Sequence, residues 1–377
     1  MVKNASRRTF VVALCSAALA CGLAVAPVAF AAGAAESGDK AQAAQASETR
    51  EFTDSLGRTV EIPTEITAIA PSGYLAQQVL MTVAPEKMVC LASSLTDSQA
   101  HFFGEQYAGL TEVGAIFGAK GDFNREEVAA SGAQIVIDVG EVKDGMADDL
   151  DALQEQLGIP CVHISSSLDT YGDCYRTLGE LLGVEDRANE IADYCDASYK
   201  EVSDVMANIP EEERTDVLYL TGDDGLSCLA NGSYQANVID MVADNVAVVD
   251  DPSGKSNETD MEQIANWNPQ VIVFAPKSAY ELAGTDATWQ GLTAIETGNY
   301  CEVPSEPFNW LNGPPSVNQV MGMQWLARVL YPEMFDDDMY ETVAAYYKTM
   351  YQYDLSEDEF NEITKNASLV CVQELAE

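Results

Sequence analysis

The stretch EDRANEIADYCDASYKEVSDVMANI, residues 185–209, predicts one long helix near the middle of the chain. Apolar or small residues recur along it in steps of three and four, at Ala188, Ile191, Cys195, Ser198, Val202, Val205 and Ile209. No Gly or Pro interrupts the stretch, and Pro210 closes it. At about 1.5 Å per residue the helix spans roughly 35 Å, the width of a small domain. Both a surface helix of one domain and a strut between two lobes fit this pattern.

The two flanks of the helix decide between these alternatives, because short strand-like and helix-like segments alternate on both sides. A hairpin is predicted at 52–63, strands at 66–70, 88–91, 134–139 and 161–164, and helices at 74–83, 124–130 and 148–157. After the helix, strands are predicted at 217–220, 247–249, 271–274 and 300–303, and helices at 233–241, 261–266, 317–330 and 339–351. Ser356 and Glu359 form a capping box for a last helix. Such alternation predicts largely parallel sheets covered by helices.

An internal repeat supports two related lobes. Residues 126–137, EEVAASGAQIVI, align without gaps with residues 262–273, EQIANWNPQVIV. Each copy reads as a short helix, a turn and a buried strand, and the copies lie on opposite sides of the long helix. The long helix is therefore interpreted as the strut between the lobes.

The amino terminus predicts an exported protein, and the net charge disfavours some classes of partner. The chain has 19 basic and 61 acidic residues, and such a surface repels nucleic acid and anionic lipid. Residues 1–31 read as an export signal peptide, with Arg7 and Arg8 before an apolar run and a cleavage site at 29–31. The paired arginines fit a twin-arginine signal and also an ordinary secretory one. Lipidation at Cys21 is a less favoured interpretation of the same segment. Residues 32–50 read as a disordered tether.

Motifs spread over residues 52–363 resemble the substrate-binding proteins of bacterial ABC importers for metal chelates, namely iron–siderophore, haem and cobalamin. They are TDSLGRTVEIP at 53–63, EVG at 112–114, MEQI at 261–264, PQVIV at 269–273, VP at 303–304, PSV at 315–317, WLA at 325–327 and LYP at 330–332. The usual Pro-Asp before the strand is Ala133-Gln134 in one lobe and Pro269-Gln270 in the other.

The resemblance implies an α/β fold of two Rossmann-like lobes joined by a single long α-helix, the class III periplasmic-binding-protein fold, with ligand between the lobes. The expected boundaries are a first lobe at 51–184, a linker helix at 185–209 and a second lobe at 210–377. The implied function is delivery of a chelate to a permease dimer by a protein expected to be monomeric. Seven cysteines lie beyond the signal peptide, and their pairing cannot be assigned from the sequence.

Ligand contacts are expected in the loops beyond the carboxyl ends of the strands. Small hydroxyl residues, amides and aromatics there suit a polar ligand with a flat part. The candidates are Ser72, Tyr74, Ser93, Ser94, Asn231, Ser233, Tyr234, Trp310 and Asn312, with Trp310 as the expected stacking residue. Lys120, Lys255 and Lys277 are the basic residues near those loops and are candidates for ligand charge, against the alternative of ordinary surface lysines.

Metal-binding and catalytic patterns are sparse. The only histidines are His101 and His163, and His163, between Val162 and Ile164, is predicted to be a strand residue. A bare zinc or manganese site requires several histidines with carboxylates. The sequence therefore favours a pre-chelated metal or an oxyanion such as molybdate or tungstate, with no resident cofactor. No nucleophile–base motif stands in context, so an exported enzyme is a weaker alternative.

Glu126 and Glu262 occupy the same place in the two copies of the repeat, in the first turn of a helix. A carboxylate at that place stabilises the helix anyway. The resemblance implies a further role, in which one acidic residue on each lobe contacts arginines of the two permease subunits.

Overall fold

Strands and helices alternate through residues 48–117, 122–250, 252–254 and 256–376, which the computed structural model describes. The predicted signal peptide, most of the tether, Lys120 and Lys255 lie outside these residues. The first half contains β1 (Thr49–Thr53), β2 (Thr59–Pro63), β3 (Ile69–Pro71), α1 (Tyr74–Val83), β4 (Cys90–Leu91), α2 (Asp97–Phe103), β5 (Thr111–Glu112), α3 (Arg125–Ser131), β6 (Ile135–Gly140), α4 (Met146–Leu157), β7 (Cys161–Ser165) and α5 (Tyr171–Leu182).

The first lobe is built on a parallel sheet in the order β3-β6-β7, with the parallel pair β4-β5 beside it. Strand β6 is buried along its whole length, as a parallel strand covered on both faces must be. The predicted hairpin is formed by β1 and β2, and the first strand begins two residues inside the predicted tether. Its turn is held by Asp54, which accepts hydrogen bonds from the backbone N–H groups of Leu56 and Arg58 at 3.0 Å.

The long helix is α6 (Glu185–Met206), and it begins where the sequence predicts. Its buried face is the predicted stripe up to Val202, after which Met206 is buried instead of Val205. The helix ends three residues before the predicted Ile209. The hydrogen-bond pattern changes there to that of a 3-10 turn, because the N–H groups of Asn208 and Ile209 donate to carbonyls only three residues back.

The second half contains β8 (Asp216–Thr221), β9 (Ser227–Leu229), α7 (Asn237–Val242), β10 (Asp244–Asn245), β11 (Ser256–Glu258), α8 (Met261–Trp267), β12 (Val271–Phe274), α9 (Tyr280–Ala283), α10 (Thr293–Glu296), β13 (Tyr300–Glu302), α11 (Asn318–Leu330), α12 (Met339–Tyr351), α13 (Glu357–Ile363) and α14 (Val370–Ala376). Its sheet has the order β11-β9-β8-β12-β13, with β10 beside β8. Strands β8, β10, β12 and β13 are parallel, whereas β9 and β11 run antiparallel to their neighbours.

One predicted strand of the second half is wrong. Residues 247–249 form no strand, and the short strand β10 precedes them. Ala247 alone is fully buried there, while the side chain of Val248 is 73% exposed. The run was hydrophobic in composition, but only one of its residues faces the core.

The repeat of the sequence is a repeat of the structure. Helix α3 and strand β6 correspond to helix α8 and strand β12, and each helix is capped at its start by an Asx side chain, Asn124 or Asp260. The side-chain oxygen of Gln134 accepts the backbone N–H of Ala68 at 3.0 Å, just before β3. In the second lobe the side-chain oxygen of Gln270 accepts the N–H of Asp216, which begins β8, at 2.8 Å. The glutamines that replace the usual aspartate thus clamp the neighbouring parallel strand in both lobes.

Side-chain packing joins the two lobes in addition to the covalent link through α6. Helix α6 packs against α1 and α5 of the first lobe and against α7, α11 and α12 of the second. Helix α12 also returns to the first lobe, where the rings of Phe103 and Tyr351 lie 5.0 Å apart. From α6, Arg187 donates to the carbonyl of Thr82 at 3.2 Å and to that of Met350 at 3.3 Å. One continuous apolar core runs through these contacts, and the predicted fold class is confirmed.

Candidate ligand-binding cleft

A cavity of about 210 Å³ lies at the carboxyl ends of β3 and β6, where the first lobe faces the second. Ser72, Tyr74 and Glu141 border it from the loops after these strands, and Tyr234 contributes from the second lobe. Asp138 lies at its floor, and Lys143 borders it as well. In an open parallel sheet this is the edge where ligands bind.

The floor of the first cavity is a buried hydrogen-bonded chain. Asp138 is 5% exposed and accepts a hydrogen bond from the hydroxyl of Ser72. Its other oxygen, Oδ2, lies 2.6 Å from Nδ1 of His163, whose side chain is fully buried. The opposite ring nitrogen, Nε2, lies 3.4 Å from Oγ of Ser165. His163 is a strand residue, as predicted, and it fixes the orientation of a carboxylate that faces the cavity.

Of the described residues, Glu141 and Lys143 are the other charged ones that border the first cavity. Burial raises the pKa of Glu141, and the nearby Lys143 opposes that shift. Burial also raises the pKa of the Tyr234 phenol, with further contributions from Glu141 and Asp138. Two carboxylates and one ammonium group therefore border this cavity among the described residues, together with the Tyr234 phenol, which stays neutral and can donate a hydrogen bond.

A second cavity, of about 420 Å³, lies on the other side of Tyr74. Five neutral polar side chains border it, Gln77, Gln78, Ser93, Ser94 and Gln99, together with Phe308, Gly313 and Pro314. Gln77 is held in place because it exchanges two 3.0 Å hydrogen bonds with the backbone of Ser93. The buried Oε1 of Gln78 has no partner among the described residues, so it offers an acceptor to a ligand.

Tyr74 joins the two cavities, and we call them together the cleft. It is the first residue of α1, and its side chain is 41% exposed. No side chain caps this helix, so its first N–H groups remain available for hydrogen bonds beside the cavities. Tyr74, a predicted ligand residue, is thus an exposed aromatic side chain beside both cavities, whereas the predicted stacking residue Trp310 is buried.

The predicted ligand residues divide into groups. Five of them border the cleft: Ser72, Tyr74, Ser93, Ser94 and Tyr234. Ser233 and Asn231 precede Tyr234 but line neither cavity. The hydroxyl of Ser233 is buried without a partner among the described residues, and the exposed Asn231 donates its amide to the carbonyl of Asn245 at 3.1 Å.

Trp310 and Asn312, which the sequence predicts as ligand contacts, line neither of the two cavities. Trp310 is 1% exposed, packs edge-on against Trp325 at 6.3 Å, and donates its indole N–H to the carbonyl of Glu306 at 3.3 Å. Asn312 is buried and accepts the hydroxyl hydrogen of Tyr219 at 2.9 Å. Both side chains are occupied in the core of the second lobe, so neither stacks on or binds a ligand in this structure.

Lys277 also lies outside the two cavities. Its backbone has a positive φ of 61°, and its N–H donates to Glu302 at 3.0 Å. Burial raises the pKa of Glu306, and the positive charge of Lys277 opposes that shift. Lys277 therefore compensates acidic groups of its own lobe. Lys120 and Lys255 lie outside the described residues.

The sequence reasoning missed Asp138, Lys143, Gln77 and Gln78. A signal existed for Asp138, because it is the one acidic residue within the otherwise apolar strand 135–139. The two glutamines were missed because they lie within helix α1 and not in a loop after a strand. No group of three or more His, Cys, Asp or Glu side chains in the described part of the chain is arranged to hold a metal ion.

Glu126 and Glu262 are both exposed, each at the second position of a seven-residue helix. The strand that follows begins nine residues later in both lobes. The structure therefore gives them equivalent local positions. No helix of the described residues is long and apolar enough to cross a membrane.

Comparisons with known proteins agree with this architecture. The profile of the family described as "Periplasmic binding protein" matches residues 117–307. A solute-binding protein of an ABC transporter from Sulfurospirillum deleyianum superposes with a TM-score of 0.77 at 25% identity, over 84% of this chain and 99% of that one. Helicobacter pylori CeuE, in complex with nickel and histidine, superposes with a TM-score of 0.60 at 13% identity, over 84% and 99%.

A third relative is the molybdate-binding protein MolA of Haemophilus influenzae, which is 24% identical over 179 residues. That match covers 46% of this chain, and the chain spans half the length of this curated relative. The molybdate-bound structure of MolA superposes with a TM-score of 0.65 at 19% identity, over 81% of this chain and 99% of that one. Likenesses below 25% identity concern the fold alone.

Proposed function

The chain belongs to the periplasmic binding protein family, and we propose that it captures a metal chelate in the cleft and delivers it to an ABC importer. Its relatives are solute-binding proteins and not enzymes. The observation that carries the proposal is the pairing of a charged cavity with a neutral, amide-lined one on either side of Tyr74. A metal chelate has a charged centre and a larger organic body, which this division suits.

The ligand class proposed is an iron–siderophore, haem or cobalamin complex. Ligand pockets of roughly 300–1,000 Å³ bury most of the surface of a drug-sized ligand, and the second cavity, of about 420 Å³, falls in that range. Ser72, Tyr74, Tyr234, Ser93 and Ser94 are the proposed contacts, with Lys120 and Lys255 as proposed sources of positive charge. The proposal includes the boundaries of the chain: a signal at 1–31, a tether at 32–50, lobes at 51–184 and 210–377 with the linker between them, and action outside the cytoplasm as a monomer.

A thermal-shift screen tests the ligand class. The mature chain is heated with haemin, a ferric catecholate, cobalamin, the Ni(II)–histidine complex or sodium molybdate. A ligand at a hundredfold excess over its Kd stabilises the fold by about 2.7 kcal/mol, which is a measurable upward shift. If no chelate raises the melting temperature, the proposal is contradicted.

A matched pair of variants locates the binding. Tyr74→Ala is expected to remove the ligand-induced shift, since Tyr74 borders both cavities. Leu282→Ala is the control, because Leu282 is 42% exposed, against 41% for Tyr74, and lines neither cavity. A ligand that stabilises Tyr74→Ala as much as the unchanged chain binds elsewhere.

A second candidate is an oxyanion such as molybdate. Two observations favour it: the relative MolA is a molybdate-binding protein, and the uncapped start of α1 lies at the first cavity. Helix N-termini bind anions through their free N–H groups. Under this alternative sodium molybdate alone shifts the melting temperature. Changing Lys120, Lys255 and Lys277 singly to Ala then shows which of them supplies charge; unaltered affinity in all three excludes a role for these cations.

Delivery to the permease is proposed to use Glu126 and Glu262. Two equivalent exposed carboxylates match a two-fold permease and fix the orientation of docking. Exposed ion pairs add little affinity each, so the effect falls mainly on the association rate and on specificity. The double variant Glu126→Ala with Glu262→Ala is expected to bind ligand normally and to lose uptake.

The control for docking is a double variant with the same loss of charge, Glu127→Ala with Glu258→Ala. Both residues are exposed and lie near the proposed docking positions, but they are not equivalent in the repeat. Normal uptake by Glu126→Ala with Glu262→Ala contradicts the docking role, and so does a loss of ligand affinity.

A further inference from the structure

The floor of the first cavity contains one buried titratable pair. Asp138 faces the cavity, and His163 lies behind it with Nδ1 at 2.6 Å from Oδ2 of Asp138. Ser72 donates to the remaining oxygen of Asp138. Because both carboxylate oxygens are occupied, Asp138 acts on a ligand through its charge and not as a freely rotating group.

The charge on this floor depends on His163. With a neutral imidazole, the pair has the single negative charge of Asp138. With a protonated imidazole the two charges cancel. Water is excluded from the fully buried ring, so the difference is felt more strongly by a neighbouring ligand than it would be in solvent.

The other charged groups near His163 are already paired with groups of opposite charge. Its backbone N–H donates to Asp54 at 3.3 Å, and Asp54 is paired with Arg58 at 2.6 Å. Arg58 also pairs with Asp151 and donates to the carbonyl of Cys161 on the same strand.

On the ring itself, Nε2 meets only the neutral hydroxyl of Ser165. Within the cavity, Glu141, Lys143 and Tyr234 lie on the ligand side of Asp138. Among the described groups, Asp138 is therefore the carboxylate whose charge His163 balances.

We propose, building on the function proposed above, that Asp138 and His163 determine which ligand charge the cleft accepts. Asp138 borders the ligand, and His163 is a positioning residue that acts through it. Neutral His163 leaves a negative floor that favours a positively charged metal centre. Protonated His163 cancels that charge and favours an anion. The proton is exchanged with water, with at most one released when a cationic centre binds and at most one taken up when an oxyanion binds.

Opposite pH dependences of two probes test the inference. Sodium molybdate and the Ni(II)–histidine complex are titrated calorimetrically at a series of pH values at which the chain stays folded. Linkage of one proton changes affinity by up to about tenfold per pH unit. Molybdate is expected to bind more weakly as the pH rises, and the nickel complex more tightly.

Variants distinguish the pH dependence that comes from the Asp138–His163 pair from the pH dependence of the probes themselves. His163→Gln keeps a side-chain donor near Asp138 but cannot titrate, so the wild-type dependence attributable to the protein should disappear for both probes. His101→Gln is the matched control, because His101 is the other histidine and its side chain is 55% exposed. Protonation of the nickel complex itself is the same with every variant and cancels in the comparison.

A second variant tests the same inference if His163→Gln fails to fold. Asp138→Asn removes the charge but keeps the shape, and it should abolish the same pH dependence and narrow the difference in affinity between the probes. If either probe binds and its pH dependence is the same in wild type, His163→Gln and Asp138→Asn, the inference is wrong while the proposed function stands. If neither these probes nor any chelate binds, the proposed function fails, and the inference fails with it.

Discussion

Replacing Gly322 by Ala tests why Trp310 is a core residue and not a ligand contact. Gly322 lies in α11, and a Cβ atom there would stand 2.1 Å from the carbonyl oxygen of Trp310 and 2.8 Å from its carbonyl carbon. The obstructing atoms are backbone, and the Trp310 N–H is itself bonded to the carbonyl of Pro304 at 3.1 Å. The loop 309–313 or the helix must therefore move by about 1 Å before ordinary contact distances return.

The expected cost follows from overpacking and helix propensity together. Inserting a methyl group into a packed site costs about 3 kcal/mol at the upper end of the usual range. The gain in propensity from Gly to Ala in a helix offsets about 1 kcal/mol of this. The net loss is about 2 kcal/mol, which at a urea m-value of about 3 kcal/mol/M lowers the denaturation midpoint by roughly 0.7 M.

Urea denaturation followed by circular dichroism measures this effect, with Gly291→Ala as the control. A Cβ at Gly291 meets no atom within 4 Å, so that variant should be neutral or slightly stabilised. Ligand affinity should also fall in Gly322→Ala, because Gly313 and Pro314 follow the displaced backbone and border the second cavity. A midpoint of Gly322→Ala equal to that of the unchanged chain refutes the account of a closed socket around Trp310.

Three further predictions concern the site, the surface and the hinge. Trp310→Phe should lower stability by about 1–3 kcal/mol in urea denaturation while leaving ligand affinity within about twofold, since its ring is buried; a selective loss of affinity contradicts this. Hydrogen bonds from Ser356, Tyr353 and His101 lower the pKa of Glu359 to about 2 from 4.5. Its stabilisation is therefore present above about pH 4.5 and is lost as the pH falls towards 2, so the stability advantage of the unchanged chain over Glu359→Gln should shrink in that window, and a constant difference excludes the linkage. Small-angle scattering should give nearly the same radius of gyration with and without ligand, because α6 is continuous; a large closure contradicts a rigid strut.

Periodicity predicted the fold well where one face of an element is buried and the other is exposed. Helix α1 at Tyr74–Val83, strand β12 at Val271–Phe274 and helix α12 at Met339–Tyr351 have the predicted bounds. The strands β9 and β11 went unrecognised, because each is only three residues long. Strands that short contain too few alternations for a pattern.

The site was harder to predict, because its side chains are sorted by contacts distant in sequence. Loop composition pointed to Trp310, an aromatic residue among Asn, Gly and Pro, but the missing side chain of Gly322 allows the helix to cover it. Tyr74 is exposed because it stands at the start of a helix on the cleft side. Loop position therefore predicted residues that border the two cavities, whereas burial decides which side chains of that region are exposed to them.

The packing between the lobes bears on how the cleft selects a ligand. We expect closure to be limited, because α12 contacts the first lobe through Phe103 and Tyr351 while Arg187 of α6 donates to carbonyls on both sides. A binding protein that closes little cannot rely on a large conformational change to reject a wrong ligand, so discrimination must already be present in the open cleft. The preformed features are the neutral amides around Gln78 and the buried charge of Asp138. In a chain with 61 acidic and 19 basic residues, one more surface charge changes the electrostatic potential little, whereas a buried carboxylate beside a ligand interacts with it strongly enough to distinguish a cation from an anion.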